Sequence, residues 1–150
     1  MNSKIINELN RIIDLGLVKE DCVIDIKRII DGWNGEKIAR EIYIKRGYTI
    51  TQIDFIAMKE SDIKCIEVKN QEPFDPPPFK GHGLPAWQID SKMKLFIYKQ
   101  IEPILFVIDK KDNCMYEQSI VELLKNKSFQ TKGIHPRKIF PIDSFNLIKK

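Results

Sequence analysis

Apolar positions in the first thirty residues recur every three or four places. Ile5, Ile6, Leu9, Ile12 and Ile13 form one stripe, which stops at Leu15-Gly16, where glycine supplies a left-handed helix cap. Cys22, Ile26, Ile29 and Ile30 form a second, with Glu20 and Asp21 in its first turn and Lys27 and Arg28 before Gly32, as the helix dipole favours. A third helix is expected from Asn34, a good N-cap, through GEKIAREIYIKR to Gly47, with Ile38, Ile42 and Tyr43 inward and Glu36 near its start. Beyond Gly47 the period falls to two. YTITQIDFIAM and DIKCIEVK are rich in β-branched and apolar residues, and the polar Lys59-Glu60-Ser61-Asp62 between them reads as a turn in a meander of two or three strands.

Regular patterning breaks over residues 70–85, NQEPFDPPPFKGHGLP, which hold five of the eight prolines and two of the seven glycines. This predicts a long irregular loop. AWQIDSKMKLFIYKQ then reads as an amphipathic helix, and PILFVID as a fully apolar strand of the kind buried mid-sheet. A hairpin around Lys111-Asp112-Asn113, a short helix SIVELLK and a weakly patterned tail complete the chain. The order of elements predicts a mixed α/β fold, a central sheet flanked by helices, with an N-terminal helical extension over 1–31 leading into 32–150.

With 150 residues and 43% hydrophobic content the chain can bury one real core, so a single compact domain overall is expected. The net charge of +4 is a mild basic excess, compatible with a polyanionic partner without requiring one. No apolar run approaches the roughly 18 residues of a membrane span, and the N-terminus lacks the parts of a signal peptide. A cytoplasmic protein is therefore expected. Cys22, Cys65 and Cys114 are odd in number and scattered, which excludes a disulfide framework or a four-ligand metal site and predicts core or half-buried thiols.

Against this background three charges stand out on strands that otherwise read as buried: Asp54, Glu67 and Lys69. In CIEVK, strand alternation puts Cys65, Glu67 and Lys69 on one face and Ile66 and Val68 on the other. The turn near 59–62 brings Asp54 toward Glu67. Two converging carboxylates repel unless a cation lies between them, and hard oxygen donors suit Mg²⁺ or Mn²⁺. An E-x-K pair alone is ordinarily a solvated surface pair. Its weight comes from the conjunction with Asp54, Glu36 on the preceding helix and Gln88 on the following one.

The stretches GWNGEKIAREIYIKRGY, QIDFIAM, IKCIEVKNQ and AWQIDSKMKLFIYK together resemble the PD-(D/E)xK nuclease superfamily, most closely archaeal-type Holliday-junction resolvases and related phage nucleases. The resemblance spans residues 32–109; Ile53 stands where the superfamily often has proline before the Asp. It implies a restriction-endonuclease-like αβββαβ core and a Mg²⁺- or Mn²⁺-dependent DNA endonuclease, active on branched or double-stranded DNA, working as a homodimer and phage- or mobile-element-encoded in some relatives. It further implies that Asp54 and Glu67, with the Val68 carbonyl and Glu36, hold the metal. Lys69 then assists the attacking water and Gln88 positions the phosphate or the lysine.

Other readings stand beside these. Glu36 either joins the metal site or pairs with Arg40 one turn on. Gln88, Lys92 and Lys99 share a helix stripe that is either a wet face or a phosphate-binding one. Lys80 and His82, in the proline-rich loop, are either solvated or DNA contacts; His135 with Arg137 and Lys138 is read in the same way. Trp87 and Phe79 either anchor that loop to the core, the favoured reading, or wedge against bases. A catalytically silent DNA-binding or interaction module and a restriction-type or phage nuclease with another target are the alternatives in function.

Overall fold

The computed structural model of the chain describes residues 3–50, 56–75 and 79–149. In chain order the described elements are α1 (Ser3–Asp14), α2 (Glu20–Lys45), β1 (Thr49–Ile50), β2 (Ile56–Lys59), β3 (Asp62–Gln71), β4 (Gly81–Pro85) and α3 (Ala86–Lys99). There follow β5 (Glu102–Asp109), β6 (Cys114–Ser119), α4 (Ile120–Lys125), β7 (Phe129–Gln130), β8 (Arg137–Pro141), a 3-10 turn (Ile142–Ser144) and β9 (Asn146–Lys149). Gly16, at φ 66°, ends α1 in the left-handed conformation its position predicts.

The two helices expected on either side of residues 32–34 are one continuous helix, α2. Its buried positions Ile30, Gly35, Ala39 and Tyr43 run along one side without interruption. Asn70, near the end of β3, donates its side-chain amide to the Asp31 carbonyl at 2.7 Å, and Lys110 pairs with the Asp31 carboxylate. These long-range contacts hold the segment helical through Gly32 and Gly35, although each glycine costs about 1 kcal/mol relative to alanine. Asn34 is accordingly a mid-helix residue rather than a cap.

The main sheet has the order β1-β2-β3-β5-β6-β9. β3 and β5 run parallel, from Lys64 opposite Glu102 to Gln71 opposite Asp109, and the other neighbours are antiparallel. A parallel pair needs a crossover, and here β4 and α3 provide it. β5 is buried along nearly its whole length and feeds two cores. Ile104, Phe106 and Ile108 pack with Ile66 of β3 and with Ala39 and Tyr43 of α2. Leu105 and Val107 pack on the other face with Leu84, Ile89, Ile120, Leu123, Phe140 and Phe145.

The loop expected over 70–85 contains structure. β3 continues to Gln71, Phe74 and Gly81 exchange two backbone hydrogen bonds of 2.8 and 2.9 Å, and β4 pairs antiparallel with β8 in a second, small sheet of order β4-β8-β7. The glycines that read as loop punctuation are there for close backbone approach: a Cβ at Gly83 would lie 2.1 Å from the Lys138 carbonyl oxygen. The tail is likewise ordered, supplying β8 to this sheet and β9 to the edge of the main one. Cys65 and Cys114 are buried as expected, whereas Cys22 is exposed. No described helix is long and apolar enough to cross a membrane.

His82 lies on β4, fully buried, with Nε2 3.1 Å from Asp109 Oδ2. Asp109, equally buried at the end of β5, accepts the backbone N–H groups of Lys111 and Asp112 on Oδ1. This pair ties the small sheet to the central strand. Burial, the largest influence, lowers the His82 pKa below its usual value, opposed by Asp109. The ring is therefore neutral in the folded protein, and its Nδ1 has no hydrogen-bond partner.

Two outcomes follow from these contacts. A Cβ at Gly35 would lie 2.9 Å from the Asn70 Cβ, a contact only a backbone shift relieves. Gly35→Ala, which in an open helix stabilises by about 1 kcal/mol, is expected instead to destabilise by about 1–2 kcal/mol in urea denaturation. Because the folded-state pKa of His82 lies below the unfolded value, the stability it contributes is complete above about pH 6.5 and is lost as pH falls toward the folded value. The unfolding free energy from urea denaturation should drop between about pH 7 and pH 5.5, by up to about 1.4 kcal/mol per pH unit, and His82→Gln should flatten that slope even where it lowers stability throughout.

Candidate active site

β3 carries the E-x-K pair, and its alternation is the one expected. Ile66 is buried in the α2-side core and Val68 packs against it, while Cys65, Glu67 and Lys69 face the crossover helix α3. Cys65 is fully buried; the Glu67 and Lys69 side chains are 15% and 22% exposed, so this is no solvated surface pair. Lys69 Nζ donates to Glu67 Oε1 at 2.6 Å.

The other oxygen of Glu67 is met from α3. Lys92 Nζ lies 3.2 Å from Oε2 and 3.4 Å from the Cys65 sulfur, with only 13% of its side chain exposed. Burial is the largest single influence on Lys92 and would lower its pKa, but Glu67 and Cys65 together outweigh it and the value is raised. Lys92 is thus an ammonium, and one carboxylate stands between two cations.

Because α3 joins parallel strands, it runs antiparallel to β3, so Gln88, one turn before Lys92, lies toward the Lys69 end. Its Oε1 is buried without a hydrogen-bond partner. Gln71 follows Lys69 on the same face of β3, and its Nε2 is also buried and unpartnered. An orphaned buried polar atom costs about 1–3 kcal/mol, so two of them along this face mark polar capacity the fold leaves unspent.

The remaining sequence expectations are distributed differently. Asp54 lies outside the described residues. Glu36 is half-buried on α2, beside the contact of Gly35 with Asn70, and forms no ion pair with another described residue. Since α2 packs on the opposite face of the sheet from Glu67, its helix does not set Glu36 in the Glu67–Lys69–Lys92 cluster. The supposed wet stripe of α3 is divided: Lys92 reaches β3, the Gln88 amide oxygen is buried, and Lys99 is exposed in the last turn. Lys80 pairs with Asp112 at 3.0 Å. His82 is neither a solvated loop residue nor available to a ligand at the surface; it is committed to Asp109. Trp87, favoured as a core anchor, is 63% exposed, since its neighbours Gln88 and Ile89 take the inward positions of α3. Phe79 is half-buried, His135 is exposed, and Arg137 covers the Phe74 ring at 5.3 Å.

Sequence reading missed the part played by Lys92 and Gln71. Both were signalled by spacing: Lys92 stands four residues after Gln88 on a helix, and Gln71 two after Lys69 on a strand. Among the described residues no group of three or more His, Cys, Asp or Glu side chains gathers into a metal-sized cluster.

No family model and no curated protein matches the chain. Solved structures do. The Holliday junction resolvase Hjc of the archaeal hyperthermophile Archaeoglobus fulgidus superposes with a TM-score of 0.51 at 12% identity, covering 77% of this chain and 91% of that one. A nuclease from a fusellovirus superposes with a TM-score of 0.54 at 7% identity, covering 83% and 87%. At these identities the likeness is one of fold. The chain has the restriction-endonuclease-like α/β fold, a central mixed sheet flanked by helices, that its E-x-K strand and flanking helices led one to expect.

Proposed function

We propose that the protein is a metal-dependent DNA endonuclease that hydrolyses phosphodiester bonds in branched or double-stranded DNA. The observation that carries this reading is the Glu67–Lys69 pair, half-buried on the strand next to the sheet's centre, beneath a helix whose Lys92 reaches Glu67. The solved structures that share the fold are, by their own descriptions, a Holliday junction resolvase and a viral nuclease.

Glu67 offers the carboxylate donor that a hard cation takes. Asp54 and Glu67, with the Val68 carbonyl, are the residues proposed to hold Mg²⁺ or Mn²⁺; Glu36, carried by the helix on the other face, is left out of that set. When bound, such an ion supplies a nucleophile at neutral pH and charge stabilisation at phosphorus. The chain's own residues do the rest. Lys69, an ammonium beside Glu67, donates to a non-bridging phosphate oxygen and steadies the attacking water. Gln88 offers its amide N–H groups to the phosphate. Two nicks on opposite strands require two such sites, and we assign the homodimer to the same proposal. Leu15, Leu17 and Ile24 expose apolar surface on the helical pair that would join the copies.

A second reading, a silent DNA-binding module, is favoured by the two ammoniums that neutralise Glu67.

A cleavage panel separates them. With Mg²⁺ or Mn²⁺, wild-type protein should cut at least one of four-way junction, flap, single-stranded and linear duplex DNA, and Lys69→Ala and Glu67→Gln should each lower the rate by about 100-fold or more. DNA left intact throughout by folded wild type, yet shifted on a gel, would establish the binding module instead.

A further inference from the structure

Lys69 and Glu67 share a strand, and either the E-x-K chemistry or a plain ion pair accounts for their contact. Neither accounts for Lys92. It comes from a separate element, reaches Glu67 Oε2 at 3.2 Å, and is the least exposed of the three charged side chains at 13%. One carboxylate needs one counter-charge, and a second ammonium held in a half-buried layer adds repulsion from the first.

We propose that Lys92 is a positioning residue that competes with a divalent cation for Glu67: it fixes the carboxylate toward α3 and sets how tightly the cation is taken up. The proposal rests on the metal-dependent reading above and deepens it. The competition is direct, because an ammonium and a divalent ion sharing Oε2 would be brought together in a layer where charges are poorly screened. The lysine has somewhere to go. Gln88 Oε1, an unpartnered buried acceptor, is one helical turn along the same side of α3, within the sweep of a four-carbon stem. The layer therefore holds the two ends of an exchange: Lys92 on Glu67 when the carboxylate is free of other cations, and Lys92 on the Gln88 amide when it is not. Cys65, whose sulfur lies 3.4 Å from Lys92 Nζ, lines the near end of that path.

Calorimetric titration of Mn²⁺ into wild type, Lys92→Met and Lys92→Arg tests this, with thermal melts confirming that each variant is folded. Lys92→Met, which keeps the stem and removes the charge, should bind Mn²⁺ about tenfold tighter than wild type, and Lys92→Arg should bind as wild type does. Adding Glu67→Gln to Lys92→Met should abolish the gain. A lysine that served only packing would leave metal affinity where it was. The proposal is overturned if Lys92→Met binds no tighter than wild type or takes up no Mn²⁺; Lys92→Gln is held to the same criterion should the methionine variant fail to fold. Failure of the endonuclease reading looks different: wild type saturated with Mn²⁺ leaves all DNA intact, whatever the order of metal affinities.

Discussion

The parallel pairing of β3 with β5 is the constraint on which the rest of the molecule depends. Two parallel neighbours cannot be joined by a tight turn, so about thirty residues must travel back over one face of the sheet. Those residues include α3, and α3 brings Lys92 and Gln88 over the face where β3 presents Cys65, Glu67 and Lys69. The opposite face is left to α2, which seals it with Ala39 and Tyr43. Polar chemistry on one side of β3 and hydrophobic anchorage on the other are therefore consequences of one topological choice. β5, buried on both faces, is what makes the choice stable: its alternate residues belong to two different cores, and slipping it by one position would exchange them.

Much of this was legible in the chain where a strong period and a strong boundary coincide. PILFVID could hardly be anything but a central strand, and CIEVK alternates as a strand with one polar face must. α3 was legible as a helix, though not which of its lysines are wet. Amphipathic reasoning assigns charge to solvent by default, and Lys92 is charged and largely buried because Glu67 waits beneath it; the partner lies twenty-five positions away. The break expected over residues 32–34 and the loop expected over the glycines of β4 fail for a common reason. Glycine is punctuation when only neighbours in sequence are considered, and Gly35, Gly81 and Gly83 become contact residues once a distant strand packs against them. Gly35 clears space for Asn70, Gly83 for the Lys138 carbonyl, and neither partner is visible locally. Asp54, on which the sequence argument leaned most, lies outside the described residues, so the site stands here on Glu67, Lys69, Lys92 and Gln88.

His82 shows the same lesson for a titratable group. Between two glycines and beside a proline run it reads as a solvated loop residue, and no local feature says otherwise. What buries it is the second sheet, and the second sheet exists because β8, in a tail with little pattern of its own, pairs with β4. Burial then decides its chemistry: desolvation removes the charge, Asp109 takes one ring nitrogen, and the residue becomes a structural tie rather than a proton carrier. Asp109 gains from the same arrangement, because its second oxygen holds the turn into β6. The pair secures the crossover at the end where β4 leads into α3.

That connection bears on the charged layer. α3 begins directly after β4, so any looseness in the β4–β8 pairing is transmitted to the first turn of α3, where Gln88 sits, before it reaches Lys92 one turn later. The Ala86 N–H, bonded to the Pro136 carbonyl at 2.9 Å, adds a second tether at the same point. The N-terminal half of α3 is thus held by the small sheet, and its far end, with Lys99, Ile97 and Tyr98 exposed, is held by little. A helix fixed at one end positions its first turns well and its last turns poorly. The residues facing Glu67 and Lys69 occupy those first turns, which is the physical reason to place the chemistry there and to read the distal lysines of α3 as ordinary surface.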